Sequence, residues 1–332
     1  MSAAAPRVMW KRKTVEWQTL ALAAVIYGGW FAVTYWQAAL PWWVVTPVGA
    51  WLIAWHSQLQ HEILHGHPTT SRAFNRFLAS WPVSLWLPYE TYRTAHLTHH
   101  RDERLTDPID DPESYYHTQS HWADRHPISK ALVTAQSTLL GRMVIGPLWI
   151  VPRYVVAVVR KALQGCAIER RALAEHIPAL LLVLIWLVFV CKMNMLYYIF
   201  GMVYPATALM LVRSFAEHRA EDEVEERTAI VENSWILGPL FLFNNLHAAH
   251  HENPMIPWYE IPAWYKANRA RLIAQNGGLV YNSYFEVARL YLLRPHDTAV
   301  HPHDRAMNYD QIQAGKGYPA ASASESQASV SA

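Results

Sequence analysis

Eight of the chain's 18 histidines fall into three short patterns. His61-Glu-Ile-Leu-His65 is HxxxH, and both His96-Leu-Thr-His99-His100 and His247-Ala-Ala-His250-His251 are HxxHH. Residues three and four apart share one face of a helix, so each box aims two or three imidazoles in one direction. HxxxH alone is weak evidence, since His117 and His121 repeat it in a polar stretch. HxxHH is much rarer: at this histidine frequency about 0.05 chance occurrences are expected, and the chain has two.

Imidazoles without thiolate suit Zn, Cu, Fe and Ni. A structural zinc site closes with four ligands, usually including Cys. Here Cys166 and Cys191 lie far apart, with no CxxC pair and no disulfide framework. Eight histidines are too many for one ion. Two ions with about four nitrogens each, leaving positions open for dioxygen and substrate, match the count, and iron is the metal of that set suited to an unactivated C–H bond. A ligating imidazole gives its second N–H to a carboxylate or carbonyl. Glu62, Asp102, Asp107, Glu217, Asn244, Asn245 and Glu252 are the nearby candidates for that role. His56, His67, His117, His121, His126, His176, His296, His301 and His303 fall outside the boxes and read as solvated or capping residues.

The elements that must position the boxes are those of a membrane protein. Hydrophobic residues make up 52% of the chain, with 16 Trp and 17 Tyr, and only 16% are charged, against roughly 25% in soluble domains. The net charge of +2 gives no ground for nucleic-acid binding. A hydrocarbon core of about 30 Å takes roughly 20 helical residues. Residues 18–37 and 40–56 are two such stretches, joined by the uncharged link Gln37 to Pro41. Arg7 and Lys11 to Lys13 on one flank, with Arg72 and Arg76 on the other, put both flanks on the cytoplasmic side. The first span is expected to be retained and not cleaved. The apolar block Ile177 to Arg213 is about two spans long and breaks near Cys191 to Asn194, giving spans 177–192 and 195–213 with Lys192 as the only basic residue of either outer loop.

The expected fold is therefore an all-α integral membrane protein: four transmembrane helices in two hairpins, with interfacial helices and a cytoplasmic helical cap (57–176 and 214–313). Residues 1–13 form a cytoplasmic tail, 14–313 the membrane domain and 314–332 a disordered Ala/Ser/Gly tail. Phe74 to Tyr89, broken by Pro82 and Pro88, and residues 131–160, with Arg142, Pro147, Pro152 and Arg153, read as interfacial, the alternative being two extra spans. If 74–89 crossed the membrane, the first two boxes would face opposite sides and could not share metals.

The boxes resemble those of the membrane fatty-acid desaturase and hydroxylase superfamily: HxxxH or HxxxxH, HxxHH, then a distant HxxHH. The phrases HEILHGHP, YRTAHLTHHRDERLTDP, LVRSFAEHR and NNLHAAHHENP look like the bacterial acyl-lipid branch, and the resemblance covers most of the chain. It implies a diiron oxidoreductase with His61, His65, His96, His99, His100, His247, His250 and His251 as ligands. It adds His218, which stands where the family has one further ligand. It also implies O2 as co-substrate and a membrane-lipid or fatty-acyl substrate; proton relays need not dominate such an oxidation, so no residue is assigned as a separate acid or base. The chain has neither a GxGxxG fold nor a CxxC pair, so electrons must come from a separate ferredoxin, rubredoxin or cytochrome with its reductase. Arg153, Arg160, Lys161, Arg170 and Arg171 could dock such a carrier, though anchoring to anionic lipid is the favoured use. Desaturation is the expected reaction. Lipid hydroxylation (of the acyl chain or an aminolipid head group), carotenoid ring oxidation and alkane hydroxylation are the rivals. A metal transporter is disfavoured because the boxes follow the spans and do not sit within them.

Overall fold

The computed structural model describes residues 14–101 and 104–302. The basic N-terminal residues, Asp102, His303 and the tail from 314 lie outside the described residues.

Helix α1 (Trp17–Tyr35) contains neither proline nor a charge. Pro41 then sets the extended residue that starts α2 (Trp42–Leu64), whose 23 residues carry the first box at the C-terminal end. Helices α3 (Arg72–Ala79), α4 (Tyr89–His99), α5 (Gln119–Ala123), α6 (Pro127–Gln136), α7 (Leu139–Val144) and α8 (Gly146–Leu163) follow. A long helix, α9 (Ala167–Val190), ends in a π-helical turn. Asn194 restarts the chain, its side chain accepting the N–H groups of Leu196 and Tyr197, and α10 (Met195–Phe215) runs back.

Three helices, α1, α9 and α10, are long and apolar enough to cross a membrane. Helix α2 has the length but not the apolar composition, because Trp42, Trp43, Trp51 and Trp55 share it with Gln58, Gln60, His61 and Glu62. The four pack in alternating directions. Glu16 at the start of α1 donates its N–H to Pro68 O just beyond α2, and Tyr27 meets His56, so α1 and α2 are antiparallel. Trp186 donates to Thr34 Oγ1, so the end of α9 lies by the end of α1. Thr46 meets Tyr197 and Gln58 meets Met210, so α2 and α10 run the same way. The ends of α2 and α10 therefore emerge at one end of the bundle, beside the start of α1.

Two boundaries differ from the expectation. The third span was placed at 177–192, whereas α9 starts at Ala167, ten residues earlier. Hydrogen bonding, not apolarity, starts a helix, and the turns holding Glu169, Arg170, Arg171 and Glu175 project beyond the apolar part. The second span extends through the box to Leu64 for the same reason. In the segments expected to be interfacial, α3 is only 8 residues, about 12 Å long, and 131–160 is divided among α6, α7 and α8. Neither α3 nor α8 is among the helices apolar enough to span.

The remaining chain makes a cap over the bundle end. It is not wholly helical: β1 (Ile230–Val231) and β2 (Val280–Tyr281) pair in parallel. Helices Ile261–Gln275 and Tyr284–Tyr291 follow in this part of the chain, and Ile230 packs in a buried core with Leu246, Ile256, Ile261 and Leu272.

Candidate metal centre

The first two boxes are each placed by a helix that ends at the box, and the third makes up a short helix of its own. His61 lies in the last turn of α2 and His65 caps it. His96 and His99 lie in the last turn of α4 and His100 caps that helix. His247, His250 and His251 occupy the short helix His247–Glu252, and His218 follows the end of α10. The C-terminal end of a helix presents carbonyls and partial negative charge, a favourable setting for a cation.

All nine imidazoles converge, in two groups. His61, His65, His96, His100 and His250 form one, and His99, His218, His247 and His251 the other; within each, one ring nitrogen per residue lies within 4.8 Å of all the others. In the first group His100 Nε2 is 3.0 Å from both His96 Nε2 and His250 Nε2. In the second, His218 Nε2 is 3.1 Å from His99 Nε2 and 3.0 Å from His247 Nε2. The groups abut where the His100 and His251 rings stack, centroids 4.3 Å apart.

The donor set fits metal. Nitrogens bonded to one ion at about 2.1 Å lie no more than about 4.2 Å apart, and close nitrogen pairs of 3.0–3.1 Å occur in both groups. Both ring nitrogens of His61 and Nε2 of His65 are buried without a hydrogen-bond partner, a cost that an ion would relieve by taking up the one lone pair of each ring. Burial holds His218, His247, His250 and His251 well below the ordinary imidazole pKa, in the neutral form that ligates. Neither cysteine is among the clustered residues.

Three far ring nitrogens are hydrogen-bonded as those of metal-bound imidazoles usually are, and a fourth, on His247, faces a carboxylate without a hydrogen bond. His99 Nδ1 is 2.9 Å from Asp111 Oδ1, His96 Nδ1 is 3.0 Å from Glu113 Oε1, and His247 Nδ1 is 3.3 Å from Glu217 Oε1. His218 Nδ1 is 3.2 Å from Arg227 O. Burial alone would raise the Glu113 carboxyl, but His96 and His99 hold it well below the usual range. Burial lifts Glu217 to about 7, against the pull of Arg213, whose Nε lies 3.2 Å from the same Oε1 that faces His247.

Of the carboxylates and amides expected in this outer layer, Glu217 lies 3.3 Å from His247 Nδ1 without a hydrogen bond. Glu62 instead accepts the Trp258 N–H, Asp107 the N–H groups of Ile109 and Asp110, and Glu252 is gripped by Arg271 at 2.7 Å. Asn244 and Asn245 donate to Phe241 O and Val231 O. Their side chains thus serve backbone groups and Arg271. Asp111 and Glu113, which do meet the rings, belong to the acidic run Asp110-Asp-Pro-Glu113 shortly after the second box. That run was the available signal.

The histidines outside the boxes have other partners. His56 meets Tyr27, His67 meets Glu16, His126 caps α6, and His176 contacts Leu85 O. His296 meets Tyr281 and His301 meets Thr106. His117 stacks on Trp122, and His121 is exposed.

A cavity of about 540 Å³ opens beside the second group, its wall including His218 and Glu113 together with apolar side chains such as Leu87, Trp149, Ile150 and Met210.

Helices of membrane-crossing length around clusters of buried imidazoles define a membrane-type protein with a candidate metal centre. The fatty acid desaturase family model matches residues 40–285, which contain all nine imidazoles, and the chain belongs to that family. It is accordingly a membrane oxidoreductase of the fatty acid desaturase and hydroxylase superfamily. No curated protein matches the chain.

Proposed function

We propose that the protein is a dioxygen-dependent desaturase of fatty-acyl chains in membrane lipid, of the bacterial acyl-lipid kind. The observation that carries this reading is the division of nine imidazoles into groups of five and four. His61, His65, His96, His100 and His250 would hold one iron, and His99, His218, His247 and His251 the other. Bound iron supplies the power to activate dioxygen and oxidise an unactivated C–H bond. Asp111, Glu113 and the Arg227 carbonyl fix the orientations and tautomers of His99, His96 and His218. The cavity beside His218 holds the methylenes and keeps water from them through its apolar wall. The overall change converts CH2–CH2, O2, two electrons and two protons into CH=CH and two waters. The electrons come from a separate ferredoxin, rubredoxin or cytochrome with its reductase.

In this reading α2 is the fourth membrane span, since its 23 residues measure about 34 Å and it packs between α1 and α10. The basic residues Lys11 to Lys13, Arg72 and Arg76 put both termini and the site on the cytoplasmic face of the inner membrane.

Expression with a reductase system, with lipid masses compared against His99→Ala, tests the reaction. Loss of two hydrogens, abolished in the variant, is expected. Gain of one oxygen would make the enzyme a hydroxylase and overturn desaturation. Two iron atoms per chain are expected, and an active preparation containing zinc alone would remove the mechanism.

A further inference from the structure

The same cavity contains positive charge that the oxidation chemistry does not use. Arg142, on α7, is only 6% exposed and lines the cavity. Its Nε donates to Gln136 O at 2.9 Å, and its guanidinium lies over the Tyr115 ring at 3.9 Å. Its Nη1 is buried with no hydrogen-bond partner. None of these contacts neutralises the charge, and buried charges are stable only when paired. Two more guanidiniums stand on the cavity wall. Half-buried Arg125 contacts Ser129 and His117, and exposed Arg153 lies over Trp149. No ion pair to a carboxylate is formed by Arg125, Arg142 or Arg153 among the described residues. The two carboxylates on the wall are engaged elsewhere, Glu113 by His96 and Asp297 by the Tyr116 hydroxyl. A fourth guanidinium there, Arg213, is paired with Glu217.

One cavity thus joins three unpaired cations, an apolar wall and, at His218, the candidate metal centre. That combination matches an amphiphile with an oxyanion at one end. We propose that the substrate enters with an anionic head, carboxylate or phosphate, paired to Arg142 inside, with Arg125 and Arg153 at the mouth. This deepens the desaturase reading and rests on it for the word substrate. A head fixed at Arg142 also means that the oxidised position is counted from the head and not from the methyl end of the chain.

Binding can be measured on the full-length protein in neutral maltoside micelles, without reductant so that no turnover occurs. The probes are dodecanoate, dodecyl phosphate and dodecanol, at a pH that keeps the carboxylate ionised. At least one anion is expected to bind about tenfold or more tightly than dodecanol, and Arg142→Gln to weaken that anion by about ten- to a hundredfold while leaving dodecanol unchanged. Arg142→Lys should retain part of the preference. Tighter dodecanoate identifies a free acid as the source, and tighter dodecyl phosphate a lipid phosphate. Equal binding of dodecanol and both anions, or an unchanged preference in Arg142→Gln, overturns the proposal. If Arg142→Gln does not fold, Arg125→Gln/Arg153→Gln is read in its place, with a loss of about tenfold expected and no loss counting against the proposal. Anion binding without any lipid mass change defeats the desaturase reading alone, whereas desaturation with no anion preference defeats this one alone.

Discussion

A histidine presents two nitrogens, and in the metal centre the two have separate work. Inner nitrogens of both groups approach to about 3 Å in several pairs, while the outer nitrogens of His96, His99 and His218 are fixed by carboxylates and a carbonyl. Asp111 is the most constrained of these acceptors: it is buried, Oδ1 meets His99 and the Glu113 N–H, and Oδ2 accepts the Thr106 N–H. An amide in its place keeps the volume but loses the charge and can turn a donor towards the ring. Asp111→Asn is therefore expected to lower iron affinity or activity by about 10–100-fold, measured as iron retained through dialysis against a graded chelator. His121→Ala removes an exposed imidazole that shares only the HxxxH spacing, and should retain iron as the parent does. Equal loss in both variants would show that the effect is not specific to the outer layer.

Helix ends, more than helix interiors, place the site, and this is where sequence was most and least informative. The three boxes were legible because helical periodicity puts their rings on one face, and the break at Cys191 to Asn194 was legible because apolarity stops there. The start of α9 was not, since its first turns are as polar as a loop. Nor was the partnership of His99 with Asp111 or of His96 with Glu113, because the loop that brings them back has no periodicity to read. His218 came only through resemblance, a lone histidine in a charged stretch. The end of α2 shows how backbone conformation serves the box. Gly66, directly after His65, has φ of 103°, a region that L side chains avoid. Its carbonyl accepts from Asn75, tying the turn to α3. Gly66→Ala should destabilise the protein by about 1–3 kcal/mol, seen as a lower unfolding midpoint in detergent, and should reduce iron occupancy because His65 is the adjoining residue. An unchanged midpoint would mean that the turn relaxes without strain.

At the scale of the molecule, the nine imidazoles come from four stretches far apart in sequence: the end of α2, the end of α4, His218 shortly after α10, and the helix His247–Glu252. The cap otherwise has a two-residue parallel strand pair and a modest apolar core, so bound ions would act as cross-links between cap and bundle. Ligand that binds only the folded state adds about 2.7 kcal/mol at a hundred times its Kd, so two tightly held ions should make the cap the most metal-dependent part of the fold. Chelation is thus expected to lower the thermal midpoint and to speed amide exchange selectively in 96–118 and 216–252. Helices α1 and α9 hold no residue of either histidine group and should keep their protection. Restoring Fe2+ should reverse both changes, and in His61→Ala/His65→Ala the response to chelator should shrink, since the five-membered group loses two of its members. Exchange that rises uniformly along the chain would show that the metal stabilises the whole bundle, and no change at all would show that packing alone holds the imidazoles together.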